Sequence, residues 1–80
     1  MPPSLPLLRV IARDAHHQRA LLVHLAVLYE LGQVNDIFLL AHSLVDNCPE
    51  QAISWYAVGV YNLAAGKYND AKRYFRYAHF

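Results

Sequence analysis

Gly32-Gln33-Val34-Asn35-Asp36 and Gly66-Lys67-Tyr68-Asn69-Asp70 share the pattern G-x-[VY]-N-D, and they lie 34 residues apart (66 − 32). Each is flanked on both sides by a stretch whose apolar residues recur at the helical period. A turn that returns at such an interval between helices means a repeated helix–turn–helix unit. Moving back by 34 carries Trp55 onto Leu21, Val58 onto His24, Gly59 onto Leu25, Ala71 onto Ile37, Phe75 onto Ala41 and Ala78 onto Leu44. The exchanges compensate in volume. The later unit sets small Gly59 and Ala71 beside large Phe75; the earlier sets large Leu25 and Ile37 beside small Ala41. Facing helices that conserve total volume pack well with different side chains.

In the later unit Trp55, Val58, Gly59 and Asn62 share one face of a helix, and Ala71, Phe75 and Ala78 share one face of the next. Gly59 and Ala71 let the two backbones approach, while Trp55 and Phe75 fill the space beside them. Gly66 suits the left-handed residue that ends a helix, and Asn69-Asp70 suits a cap and first turn. Trp55, Gly59, Gly66, Tyr68, Ala71, Phe75 and Ala78 stand at the spacings of a tetratricopeptide repeat, and the chain resembles that family. The resemblance implies an all-α fold of tetratricopeptide-repeat helical hairpins forming part of a right-handed α-solenoid. Residues 1–17 read as the second helix of a preceding repeat or as a leader, 18–51 as one repeat, and 52–80 as a repeat truncated at its C-terminal end.

Long helices are expected over 18–31, 35–46, 50–65 and 69–79, after a shorter one that Ser4 caps and Pro6 opens. Residues 14–17 would be the turn between them, and Asn35 and Asn69 would cap the helices that follow the glycines. Leu21, His24, Leu25 and Leu28 form the inner stripe of the first long helix; Ile37, Leu40, Ala41 and Leu44 form that of the second. Trp55 is expected to be buried.

Eighty residues make one small domain or a piece of a larger one. The hydrophobic fraction of 56% against 16% charged is more than so short a chain can bury alone, but a helical array buries it on neighbouring repeats. The apolar residues are broken by charges, so no stretch reaches the ~18–20 needed to span a bilayer. Met1-Pro2-Pro3-Ser4 lacks the basic start and apolar run of a signal peptide. A formal charge of +1 makes no case for nucleic acid or an anionic membrane as partner. Cys48 is the only cysteine, which excludes an internal disulfide and fits a reducing compartment; beside Pro49 it reads as an inter-repeat packing residue.

The five histidines do not suggest a metal site. Adjacent His16 and His17 would point ~100° apart on a helix, and no HExxH motif or Cys/His cluster exists. His24 reads as a core histidine, and His42 with Asp46 as a solvent-side pair. Glu30, Asp36, Asp46, Glu50 and Asp70 lie mostly at helix ends and turns, and there is no phosphate loop, nucleophile elbow or serine paired with a base. Neither an enzyme nor a cofactor is expected.

First helices of successive tetratricopeptide repeats line a concave groove, and the resemblance assigns it here to Arg19, Leu22, Ala26, Tyr29 and Glu30 with Ile53, Tyr56, Val60, Leu63 and Ala64. That lining is mainly apolar and aromatic, the composition of interface centres, with Arg19 and Glu30 at the rim. Family members that grip a terminal carboxylate place lysine and asparagine there. Leu22, Ala26, Tyr56 and Val60 stand in those places, which disfavours such a clamp.

More specific strings follow: LVH at 22–24, LLAHSLVD at 39–46, SWYAVGVY at 54–61 and AKRYF at 71–75. In order and spacing, over about 14–78, they resemble the cell-division-cycle repeat subunits of the anaphase-promoting complex, a ubiquitin ligase. Ala15 and Leu22 replace usual prolines of that family, and Asn62 a usual tyrosine; a buried amide without partners costs ~1–3 kcal/mol. The resemblance implies an interior portion of a longer superhelix that dimerises through N-terminal repeats and holds a small accessory subunit in later ones. The partners implied are proteins, namely other subunits of that complex with the accessory subunit as one candidate, in nucleus and cytoplasm. A generic peptide-binding repeat fragment, or an inert or regulatory truncation, is the alternative.

Overall fold

The fold turns on the two glycines of the repeated motif. A computed structural model of the protein describes residues 15–78, and in it Gly32 and Gly66 take φ of 68° and 80°. A side chain is disfavoured in that left-handed conformation. Around each glycine the backbone closes the same crossed pair of bonds. Gln33 N–H donates to Leu28 O and Gly32 N–H to Tyr29 O, both at 3.0 Å. One period later Lys67 N–H donates to Asn62 O at 2.8 Å and Gly66 N–H to Leu63 O at 3.1 Å. These bonds satisfy carbonyls that a helix end would otherwise leave without partners.

Four helices result: α1 (Ala15–Glu30), α2 (Val34–Asn47), α3 (Ala52–Ala64) and α4 (Tyr68–Tyr77). They form two tetratricopeptide-like helical hairpins, α1–α2 and α3–α4, and all regular structure among the described residues is helical. The shorter helix expected to open at Ser4 lies outside the described residues. Several boundaries differ from expectation. Helix α1 already includes residues 15–17, which the sequence suggested as a turn. Asn35 and Asn69 lie inside α2 and α4; the cap positions belong to Gln33 and Lys67, whose side chains make no capping bond. The reason is that the left-handed glycine turns the chain so tightly that the helix restarts two residues later. Asp36 and Asp70 then sit in first turns, where a carboxylate favours the exposed N–H groups. Extended Gln51 (φ −94°, ψ 136°) delays the start of α3 to Ala52.

Leu21, Leu25 and Leu28 of α1, Ile37, Ala41 and Leu44 of α2, Cys48, and Ile53, Ala57 and Val60 of α3 make one buried cluster, with Leu40 half-buried against it. His24 does not join them. It is exposed, displaced around α1 from the line through Leu21, Leu25 and Leu28. Trp55 is half-buried: its ring lies parallel to Tyr74 (centroids 6.2 Å, 3° between planes) and tilted against Tyr77 (5.3 Å), and its Nε1 donates to Pro49 O at 2.7 Å. An indole needs an acceptor, and the loop before α3 offers one nearer the surface. Asn62 is buried, and its Nδ2 donates to Val58 O at 2.8 Å, so the amide that replaces the family's tyrosine is satisfied.

Helix α3 packs closely against both α2 and α4, whereas α1 rests more sparsely on α2 and α3. The α3–α4 crossing is made at Gly59, where a Cβ would come within 2.6 Å of Phe75 Cε1. The joint between hairpins is held by Ser54, which is wholly buried. Its Oγ donates to Cys48 O at 2.6 Å, with Leu44 O at 3.2 Å.

Candidate functional site

Positions 26, 29 and 30 fall on one side of α1, and 56, 60 and 63 on one side of α3. With α1 beside α3, the structure brings Ala26, Tyr29, Glu30, Tyr56, Val60 and Leu63 together around a cleft of about 170 Å³. Phe75 of α4 closes its end, tilted against Tyr56 with ring centroids 5.4 Å apart. Val60 is buried, Tyr56 and Leu63 are half-buried, and Ala26, Tyr29 and Glu30 are exposed. A recess of about 370 Å³ adjoins this cleft and shares Tyr29, Glu30 and Leu63 with it; Gly32, Val34, Ala64 and Tyr68 complete its wall. Glu30 is the only charged residue lining either hollow among the described residues.

Three residues assigned to the groove from the sequence stand elsewhere. Ile53 has no exposed surface, because α1 and α2 pack on the part of α3 that carries it; it belongs to the core. Leu22 is half-buried against that core, and Arg19 is exposed, a turn or more before Ala26 on α1 and away from the cleft. Phe75 was not assigned to the groove, although its pairing with Gly59 placed it between α3 and α4. Tyr68 reads from the sequence as part of the turn motif and as a repeat-spacing position, and it too lies outside the assigned groove.

A third hollow, about 210 Å³, lies between α2 and α3 and is lined by Phe38, Ala41, His42, Val45, Trp55, Val58, Tyr61 and Asn62. Phe38 stacks on His42 (centroids 5.9 Å) and tilts against Tyr61 (5.3 Å). His42 Nε2 lies 3.1 Å from Asp46 Oδ2 on the solvent side, as their spacing suggested. No sequence signal singled out this hollow, since it depends on which face of α2 meets α3. Among the described residues no group of three His, Cys, Asp or Glu could hold a metal ion, and no helix is long and apolar enough to cross a membrane. What the cleft between α1 and α3 and the hollow between α2 and α3 present is mainly apolar and aromatic area, suited to receiving side chains from another chain.

Comparison with known proteins assigns this geometry to a lineage. No family model matches the chain, and no solved structure matches it. Anaphase-promoting complex subunit 6 of Arabidopsis thaliana is 44% identical over 66 residues, 82% of this chain and 12% of that protein. The cell division cycle protein 16 homolog of Homo sapiens is 44% identical over 66 residues, 81% of this chain and 11% of its own length. Anaphase-promoting complex subunit cut9 of Schizosaccharomyces pombe is 39% identical over 67 residues, covering 84% and 10%. The chain therefore spans about a tenth of the length of these relatives. It is a tetratricopeptide-repeat protein that closely resembles one part of subunit six of the anaphase-promoting complex.

Proposed function

We propose that this segment is a scaffold and protein-interaction element of the anaphase-promoting complex, acting in the cell-division cycle in nucleus and cytoplasm, with no chemistry of its own. The observation that carries the reading is an identity of 39–44% to two subunits named for that complex, covering more than four fifths of the chain. The cleft between α1 and α3 supports it physically. Its wall of Tyr29, Tyr56, Val60, Leu63 and Phe75 offers apolar area on rigid helices, and aromatic anchors of this kind dominate binding energy in interface centres. The partners would be other subunits of the complex, with its small accessory subunit a candidate for the groove.

The test is made in the full-length homologue. Changing Tyr29 and Tyr56 together to alanine should weaken capture of at least one partner subunit in pull-downs while the circular dichroism of the protein is unchanged. Lys72→Gln, an exposed change on α4, is the control and should leave every subunit in place. If the tyrosine variant retains all subunits as well as wild type, the segment is a spacer within the array and the groove reading fails.

A further inference from the structure

Glu30 is placed where a carboxylate is locally unfavourable. It is the last residue of α1, at the end where helix dipoles leave partial negative charge, and no basic residue shares that last turn. It is exposed, and it makes no ion pair or side-chain hydrogen bond among the described residues. Yet it stands at the boundary between the two adjoining hollows and supplies the only charge to either among the described residues. A helix surface tolerates such a residue more readily when a cation comes to it.

The surroundings specify the cation further. Tyr29 and Tyr68, 39% and 62% exposed, line the larger recess together with Glu30, so aromatic and carboxylate groups share one wall. A guanidinium can lie on an aromatic face and still pair with a carboxylate through two parallel N–H donors, which an ammonium cannot do. On the other side of Glu30, the 170 Å³ cleft resembles in size the apolar cavities of about 150 Å³ that take up a single benzene ring. From this we infer that the groove recognises a segment of a partner protein carrying one arginine and one large apolar side chain close together. The arginine pairs with Glu30 in the recess it shares with Tyr29 and Tyr68, and the apolar group fills the space walled by Tyr56, Val60, Leu63 and Phe75. This rests on the reading of the cleft as a protein-binding groove and adds the chemistry of what enters it.

A displayed library of random 12-residue peptides, selected on the folded 80-residue chain, tests both parts. Selected peptides should be enriched in arginine within a few residues of leucine or an aromatic. Their affinity, measured by fluorescence anisotropy, should fall about tenfold on Glu30→Gln, as expected for loss of a charge-assisted bond. Replacing their arginine by citrulline should lose as much on wild type and nothing further on the variant. Selection on Glu30→Lys should return acidic peptides. Peptides that bind through Tyr56, judged by loss on Tyr56→Ala, but carry no basic residue and ignore Glu30→Gln would overturn this proposal and leave the groove intact. Peptides indifferent to both substitutions, or no selection at all, would overturn the proposal and the groove reading together. Glu30 and its replacements are exposed, so circular dichroism should show the same helicity in each.

Discussion

The two hairpins end their first helices with identical crossed bonds but fill the space between helices in opposite ways. In α1–α2, Leu25 and Ile37 are wholly buried and Ala41 is the small partner. In α3–α4, Gly59 contributes no side chain and Phe75 occupies the room, its ring within 2.6 Å of where a Cβ would stand. The polar content differs too. Ser54 and Asn62 are buried in α3 and donate to backbone carbonyls, whereas their counterparts one period earlier are Ala20 and Leu28. The difference teaches that the period fixes where backbones cross and how helices end. Which partner supplies the volume is left free, provided the pair conserves it.

Gly59 is where that comparison breaks most sharply. Gly59→Leu copies Leu25 into the second hairpin and drives it into Phe75, and should cost about 3 kcal/mol in urea unfolding. Phe75→Ala alone leaves a partly solvated gap and should cost about 2 kcal/mol. Combined, they rebuild the large–small pair of the first hairpin, and the double variant should be at least ~1 kcal/mol more stable than the summed losses imply. Strict additivity would show that the hairpins are not related by volume exchange.

Trp55→Ala comes next, at about 2 kcal/mol by thermal melts, short of the 3–5 typical of a fully buried aromatic. The half-burial of Trp55 against Tyr74 and Tyr77 sets that lower figure. A loss as large as that of Gly59→Leu would place the indole in the core after all. The smallest effects should be Gly32→Ala and Gly66→Ala, about 1 kcal/mol each, from the left-handed backbone alone. Nothing lies within 4 Å of an added Cβ at either glycine, so packing cannot distinguish them. Losses differing clearly in stability assays would mean that the two turns are not equivalent.

The period and the glycines made the four helices and their turns legible, because left-handed backbone and helical spacing are local properties. Burial was legible only where a residue's neighbours could be counted from the same hairpin, as for Leu25, Ile37, Leu44 and Ala71. Arg19 and Ile53 hold the same place in the period (53 − 34 = 19), yet one is exposed and the other has no surface, because α3 has α1 and α2 packed on it. His24 and Trp55 departed for related reasons. A position in a repeat names a face of a helix, while exposure depends on what that face meets. The cleft was legible for Ala26, Tyr29, Glu30, Tyr56, Val60 and Leu63 through the tetratricopeptide resemblance, which lays the first helices of successive repeats side by side. Phe75 of the cleft and Tyr68 of the adjoining recess were missed because both come from α4, across the hairpin.

The bonds of Ser54 and Trp55 have a mechanical meaning for an array of such units. Both side chains leave the first turns of α3 and grip the carbonyls of Cys48 and Pro49, so the corner joining the hairpins is pinned at two neighbouring points. In a spiral of hairpins every corner contributes its own angular error, and the errors accumulate along the stack. A pinned corner acts as a gauge: it sets pitch, and with it the spacing between binding faces several units apart. Loosening it would leave each hairpin folded while moving distant faces out of alignment.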